Sequence, residues 1–138
     1  MAFRIAVLIS GTGSLLQALL DAQAAGELRA EVVLVGSDNA AAEGLRRAAA
    51  AGVPGFVHPF VKGGDRAAWD AELTELVAAH DIDLVVLAGF MKLVGPVFLA
   101  RFGGRTINTH PALLPSFPGM HGPRDALEHR ATVTGSTV

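Results

Sequence analysis

Short apolar runs that alternate with helical segments constrain the fold of this chain more than any other feature of its sequence. The runs Phe3–Ser10, Glu31–Val35 and Leu84–Ala88 contain few polar residues, which indicates strands buried on both faces. Each run is followed by glycine or small polar residues and then by a segment with helical spacing. The alternation predicts an α/β fold, with an open, mostly parallel sheet and helices on both faces.

The remaining elements continue this alternation. Helices are predicted at Leu15 to about Ala25, Ala40–Ala51, after Asp65 as N-cap, at Pro96–Phe102 and at Pro123–Arg130. Further strands are predicted at Gly55–Phe60 and Arg105–Thr109, and another begins within Thr132–Val138. In the helix after Asp65, the spacing places Trp69, Leu73, Leu76 and Val77 on the apolar face and Asp70, Glu72 and Glu75 off it. We expect one domain over residues 1–138, incomplete after residue 138.

Composition excludes several classes of protein. Apolar residues make up 51% of the 138 residues and charged residues 17%, as in a globular domain with a real core. The net charge of −2, without a basic run, argues against nucleic acid as a partner. The absence of cysteine excludes disulfides and thiolate metal sites. No apolar run reaches membrane-spanning length and the opening run indicates a strand, so we expect a cytoplasmic protein without a membrane partner.

A glycine-rich turn, Gly11-Thr12-Gly13-Ser14, joins the first strand to the first helix. Glycines allow close approach of the backbone to an anion, and the free N–H groups of a helix start favour negative charge, so the turn predicts a phosphate site. It matches neither the dinucleotide fingerprint, since Leu16 takes the place of the third glycine, nor the P-loop. A tight turn without a ligand is the alternative.

The segment Thr106–Gly119 sets Asn108 and His110 two residues apart, which places both side chains on one face of an extended chain. An amide can stabilise a developing negative charge, and an imidazole can move a proton near neutral pH. We therefore predict that His110 is the catalytic histidine. The competing histidines are His58, His80, His121 and His129. Prolines stiffen the segment, and Leu114-Pro115 is a candidate cis bond. Asp125 is the nearest orienting carboxylate, although nothing in the sequence places it against His110. No metal site is predicted.

The loop Gly89–Val94 follows the most apolar strand. In open parallel sheets, ligands bind beyond the carboxyl ends of the strands. We therefore expect this loop, the glycine-rich turn and the Asn108–His110 segment to lie along one edge of the sheet. Ordinary packing is the alternative for Met91, Leu93 and Val94.

Three strings of the sequence resemble the phosphoribosylglycinamide formyltransferases, which use 10-formyltetrahydrofolate. They are IAVLISGTGSLLQ at Ile5–Gln17, VVLAGFMKLV at Val85–Val94 and INTHPALLPSFPGMHG at Ile107–Gly122. The resemblance implies a Rossmann-like fold and de novo purine (IMP) biosynthesis as the pathway. It implies that Gly13, Ser14 and Leu15 hold the ribonucleotide phosphate and that His110 and Asn108 are catalytic. It also implies folate contacts by Arg66, Met91, Lys92, Leu93, Val94 and Asn108.

Two departures from the family pattern matter. Leu15 stands where the family usually has asparagine, which removes a side-chain contact but keeps the backbone donors. The family's assisting aspartate follows the strand that begins at Thr132, so we expect this chain alone to be weakly active or inactive. A formyltetrahydrofolate hydrolase remains an alternative, as does a non-catalytic nucleotide-binding module in which Asp38 holds a ribose hydroxyl. The expected partners are small molecules, and the chain is a monomer or a homodimer.

Overall fold

A computed structural model describes residues 2–138 and contains two compact units, the first ending at Thr106 and the second spanning Ile107–Val138. The strands are β1 Phe3–Ile9, β2 Ala30–Ser37, β3 Gly55–Val57, β4 Leu84–Leu87 and β5 Thr106–Asn108. The helices are α1 Ser14–Ala24, α2 Glu43–Ala50, α3 Arg66–Ala78, α4 Pro96–Phe102 and α5 Gly122–Glu128. The predicted start of α3 is confirmed, since the Asp65 carboxylate accepts the Ala68 N–H.

The strands form one sheet in the order β3-β2-β1-β4-β5, and the pairs β1–β2, β1–β4 and β2–β3 are parallel. The predicted α/β fold with a parallel sheet is confirmed. From β1 the chain builds outward through β2 and β3, then returns to place β4 on the other side of β1. The strand order therefore reverses between β1 and β4, which is where open α/β sheets bind their ligands.

Alternate side chains of β1 enter two separate cores, because successive residues of a strand point to opposite faces. Ile5, Val7 and Ile9 pack with Leu16 and Leu20 of α1 on one face. On the other face, Ala6 and Leu8 belong to a core that includes Trp69, Leu73 and Val77 of α3 and Phe98 and Phe102 of α4. Both faces of the sheet are therefore covered by helices, as the continuous apolar runs predict.

Two predicted boundaries inside the first unit are wrong. Helix α2 begins at Glu43 rather than at Ala40, because Asn39 closes a turn: its side-chain oxygen accepts the Ala41 N–H and its carbonyl accepts the Ala42 N–H. Strand β3 ends at Val57 rather than at Phe60, since Pro59 has no N–H for the sheet ladder.

The predicted position of Asp70 is also wrong. The sequence pattern places it off the apolar face of α3, yet it is only 2% exposed. A buried carboxylate needs hydrogen-bond donors, and Asp70 finds three of them at the start of α4.

In the second unit, no strand forms over Thr132–Val138. The segment makes a single antiparallel bridge, in which the backbone N–H groups of His110 and Thr137 each donate to the other's carbonyl over 2.9 Å. Helix α5 ends at Glu128 rather than at Arg130, because Arg130 turns to a left-handed φ of 59°. The Leu114-Pro115 peptide bond is cis, as predicted.

Candidate active site

Two loops of the first unit meet at the point where the strand order reverses. Strand β1 leads into Ser10–Ser14 and β4 leads into the loop Gly89–Gly95, and the Met91 N–H donates to the Ser10 hydroxyl over 2.8 Å. After the ligands that the sequence resemblance implies for them, we call the two loops the phosphate turn (Gly11–Ser14) and the folate loop (Met91–Val94). They lie side by side at the carboxyl ends of adjacent parallel strands.

The phosphate turn presents unused backbone donors. Gly13 caps α1 with a left-handed φ of 72° and supplies no side-chain cap. The first helical bond runs from the Gln17 N–H to the Gly13 carbonyl. The N–H groups of Ser14, Leu15 and Leu16 therefore precede the helical ladder. Together with the positive end of the helix dipole, they form a site suited to a phosphate or another anion.

The Leu15 side chain, next to the phosphate turn, contributes no hydrogen bond to this site. Ser14 is exposed, and Leu15 is 36% exposed with an apolar side chain that cannot bind an anion. The donors belong to the backbone, so the Leu15 side chain does not remove them. The predicted phosphate residues Gly13, Ser14 and Leu15 are thus placed together, with their amides at one helix start.

The folate loop is fixed at its ends and open in the middle. Met91 is 59% exposed and Leu93 is 84% exposed, whereas Val94 packs against the core beneath α3 and α4. Lys92 is partly buried. Val94 therefore packs as the alternative holds but stays partly exposed, while Met91 and Leu93 present apolar side chains that are available to a flat apolar ligand.

Asp70 holds the end of the folate loop in place. Its carboxylate accepts the N–H groups of Gly95 at 2.7 Å, Val97 at 2.9 Å and Phe98 at 3.3 Å. Gly95 must be glycine here, because a Cβ would lie 2.6 Å from the Asp70 carboxylate. A buried negative charge at the start of α4 is stabilised by these donors and by the helix dipole.

Arg66 spans from α3 to the folate loop. Its guanidinium lies 4.5 Å from the ring centroid of Trp69 and 4.8 Å from that of Phe60, and it donates to the Leu93 carbonyl. Phe90, which immediately precedes the folate loop, stacks on the Trp69 ring, with the two ring centroids 6.4 Å apart. The aromatic rings orient Arg66 while leaving other guanidinium N–H groups for a ligand.

The second unit contains Asn108 and His110. Asn108 ends β5 and is exposed, and its side chain forms no hydrogen bond with residues 2–138. The His110 Nε2 lies 2.8 Å from the Phe117 carbonyl. Because a carbonyl can only accept, Nε2 carries the hydrogen, and Nδ1 remains as the nitrogen that can exchange a proton. Phe117, whose carbonyl faces His110 Nε2, has a left-handed φ of 52°, which is unusual for a bulky residue.

The other histidines differ in their surroundings. His58 donates from Nε2 to the Trp69 carbonyl and stacks on the Trp69 ring at 5.3 Å. His121 is the exposed N-cap residue of α5, while His80 is partly buried near the end of α3. Phe117 meets the ring of His129 edge-on at 5.7 Å. Asp125 pairs with Arg124 at 3.3 Å, and in the described part of the chain it makes no hydrogen bond to His110.

Residues 2–138 contain neither a cluster of metal ligands nor a membrane-spanning helix. They contain no group of three or more histidine, cysteine, aspartate or glutamate side chains that could hold a metal ion. Over the same residues, none of the helices has the length and apolar character needed to cross a membrane.

Sequence reasoning missed the residues that hold these loops. Ser10 and Asp70 act through backbone N–H groups that are distant in sequence, so no motif marks them. Asp70 does carry one usable signal, because it lies three and four residues before the buried Leu73 and Thr74 and so shares their helical face.

Comparison with known proteins shows that this chain is similar to formyl transferases in sequence and in fold. The formyl transferase family model matches residues 3–138. The chain is 55% identical over 135 residues to a phosphoribosylglycinamide formyltransferase of Mycobacterium tuberculosis, covering 98% of this chain but only 62% of that protein. It superimposes on glycinamide ribonucleotide transformylase 1 of Symbiobacterium toebii with a TM-score of 0.94 and 46% identity, covering 99% of this chain and 64% of that one. A formyltetrahydrofolate deformylase of Pseudomonas syringae also aligns, with a TM-score of 0.90 and 26% identity, over 99% of this chain and 45% of that one.

Proposed function

The chain belongs to the formyl transferase family, and from that premise we propose that it transfers a formyl group from 10-formyltetrahydrofolate to the amine of 5-phosphoribosylglycinamide. The acceptor is taken from the names of its relatives, which are longer than this chain. We further propose that the reaction belongs to de novo purine biosynthesis in the cytoplasm. Residues 1–138 would then form part of a single formyltransferase domain.

One observation carries the choice of acceptor: a turn that offers backbone N–H groups to an anion lies directly beside an apolar loop. The phosphate turn suits the 5-phosphate of the ribonucleotide, because Gly13, Ser14 and Leu15 carry their amides at the start of α1. Joined to it by the Met91–Ser10 hydrogen bond, the folate loop suits a flat, partly apolar ring system. A free amino acid or water as acceptor would leave the phosphate turn without a ligand.

The folate would bind through a mixture of apolar and charged contacts. Met91, Leu93 and Val94 would contact its ring system, and Lys92 and Arg66 would attract its carboxylates. The exposed fractions of Met91 and Leu93 favour this role, since large apolar side chains that protrude from a loop mark binding surfaces. We assign Asn108 to the formyl end of the same co-substrate.

The proposed chemistry needs a hydrogen-bond donor and a proton carrier. The substrate amine attacks the formyl carbon and gives a tetrahedral oxyanion, to which the Asn108 amide would donate; such a donor typically contributes about 2.7–4 kcal/mol. As the bond between the carbon and folate N10 breaks, N10 gains a proton and the former amine loses one. His110 would carry this proton on Nδ1, a role typically worth about 10²- to 10⁴-fold in rate.

Ligand binding and product analysis test the proposal. We expect 5-phosphoribosylglycinamide and a 10-formyltetrahydrofolate analogue each to raise the unfolding free energy of the chain, by about 2.7 kcal/mol at 100 times the Kd. NAD should have no effect, and stabilisation by NAD alone would contradict the proposal in favour of a nucleotide-binding module. Mass spectrometry of a reaction with both substrates should detect formylated ribonucleotide, even at a low rate.

Hydrolysis of formyltetrahydrofolate is the second candidate, because the fold also aligns with a deformylase. The two reactions differ in where the formyl group goes. Formate released at the same rate with and without 5-phosphoribosylglycinamide, and without formylated ribonucleotide, would establish the hydrolase and refute the transferase.

A further inference from the structure

We infer that helix α2 is a positioning element of the phosphate site, in which Gly44 and Arg47 hold the phosphate turn so that its N–H groups face the ligand. This inference rests on the proposed function, since it specifies how the phosphate turn comes to be a phosphate site. No motif of the sequence marks either residue. Both belong to the first two turns of α2, Glu43–Ala50.

Two carbonyls of the turn are bound by α2. The Gly44 N–H lies in the first turn of α2, where it has no acceptor within the helix, and it donates to the Gly11 carbonyl over 3.2 Å. The Arg47 Nε donates to the Thr12 carbonyl over 2.8 Å. Each bond fixes one peptide plane of the phosphate turn.

These two contacts also determine where the N–H groups of Thr12 and Gly13 point. In a trans peptide the C=O and the following N–H point in opposite directions. With the Gly11 and Thr12 carbonyls aimed at α2, the N–H groups of Thr12 and Gly13 point away from α2. Neither of these N–H groups has an acceptor among residues 2–138. They extend the row of free donors that begins α1.

The contact between the two segments is too close for any side chain. A Cβ on Gly13 would lie 2.5 Å from the Gly44 Cα, and a Cβ on Gly44 would lie 2.3 Å from Cδ1 of Ile9 and 3.1 Å from the Gly13 Cα. Glycine at both positions lets the backbones meet directly. The isolated glycine in α2 therefore has a packing reason.

Arg47 also brings a positive charge to the turn. Its side chain is 30% exposed, donates to the Thr12 carbonyl and to the Gln17 side-chain oxygen at 3.3 Å, and forms an ion pair with the Glu43 carboxylate at 3.8 Å. Gln17 belongs to α1, so one guanidinium joins α2 to both the turn and the helix that follows it. Removing the guanidinium should release the Thr12–Gly13 peptide and remove a favourable charge at once.

Calorimetric titration of three variants with inorganic phosphate and with a 10-formyltetrahydrofolate analogue tests the inference. Arg47→Met should bind phosphate about tenfold more weakly, the effect expected from losing one charge-assisted hydrogen bond. Arg47→Lys keeps the charge and one donor and should recover most of the affinity. Arg46→Met removes the same charge from an exposed neighbour on α2 and should bind phosphate like the unchanged chain. Folate affinity should be the same in all three.

The titrations distinguish the possible failures. If the unchanged chain binds no phosphate, both the inference and the phosphate site of the proposed function are wrong. If it binds phosphate and Arg47→Met matches Arg46→Met, only the inference is wrong. Equal losses of phosphate and folate affinity in Arg47→Met would show a general structural role and would also overturn the inference. Gly44→Ala provides a second variant, for which phosphate affinity should fall more than folate affinity.

Discussion

The phosphate turn and the folate loop follow adjacent parallel strands, yet they are held in different ways. Backbone contacts bring the phosphate turn against α2, where Gly13 touches Gly44 and the Gly44 N–H meets the Gly11 carbonyl, and one side chain, that of Arg47, adds a bond to the Thr12 carbonyl. Side chains hold the folate loop, namely the Ser10 hydroxyl at its start and the Asp70 carboxylate at its end. The phosphate turn needs glycine at Gly13 and Gly44 and is held by one side chain, that of Arg47, whereas the folate loop is held by side chains at both of its ends.

The difference suits the two kinds of ligand. A phosphate is small and charged, and it is recognised by fixed N–H groups whatever the side chains around them. A folate, the ligand proposed for the second loop, is large and partly apolar, and it would need protruding side chains on a loop whose ends are fixed. Changes of the glycines in the phosphate turn should therefore act through shape, whereas changes at Ser10, Arg66 and Asp70 around the folate loop should act through lost hydrogen bonds and charge.

The largest effect is expected for Asp70→Ala, which leaves three N–H groups at the start of α4 without their buried acceptor. The free energy of unfolding should fall by about 3–5 kcal/mol, as when one partner of a buried charged group is removed. Urea denaturation measures this loss. Glu75→Ala, an exposed change on the same helix, should alter stability by less than about 0.5 kcal/mol. Similar losses for the two variants would show that the carboxylate does not hold the loop.

Gly13→Ala should have the next largest effect, because it combines a strained φ with a backbone overlap. We expect a loss of about 2–4 kcal/mol in unfolding free energy. Gly26→Ala is the matched control, since Gly26 has φ of 73° but nothing within 4 Å of its Cβ position. Its loss should be only about 1–2 kcal/mol, from the strained φ alone. Equal losses would mean that the contact with Gly44 contributes nothing.

Arg66→Ala should lower stability by only about 1 kcal/mol, through the lost contacts with two rings and the Leu93 carbonyl, but should reduce folate affinity about tenfold, because it removes the charge proposed to attract the folate carboxylates. The single tryptophan, Trp69, lies under Arg66 and provides a fluorescence signal for the titration. Phosphate affinity should stay the same. An equal loss of phosphate affinity would contradict the assignment of Arg66 to the folate loop alone.

Leu15→Asn should have the smallest effect. It introduces the residue that the formyltransferase family usually carries, but the donors of the phosphate turn are backbone groups that both residues possess. Phosphate affinity should change by less than about 0.5 kcal/mol in a calorimetric titration. A tenfold gain would reveal a side-chain contact and would contradict recognition by the backbone alone.

The sequence predicts the fold well where local signals agree with tertiary packing. The apolar runs mark β1, β2 and β4, and Pro96 and Asp65 mark the starts of α4 and α3. The predicted bounds fail where a neighbour decides the outcome. Asn39 delays α2 through an Asx turn, and Thr132–Val138 forms a bridge to His110 instead of a strand. Such interactions depend on tertiary proximity, which periodicity does not contain.

The candidate site is predictable to a smaller degree. Glycine patterning locates the phosphate turn, and the proline-rich string locates Asn108 and His110. The supporting residues are not predictable, because Arg47 and Asp70 act on backbone groups far along the chain. The orientation of the His110 ring is not predictable either, since it depends on a left-handed Phe117 that aims a carbonyl at Nε2. It stays a prediction that the side chains of Asn108 and His110 lie on the same face.

The most direct test of phosphate recognition by the backbone is an NMR titration of the amide groups with 5-phosphoribosylglycinamide. The N–H resonances of Gly13, Ser14 and Leu15 should move downfield and saturate, as amides do when they donate to an anion, while the same compound without its phosphate leaves them in place. Saturable binding that shifts amides elsewhere and leaves these three unchanged would contradict a phosphate site at the turn between β1 and α1.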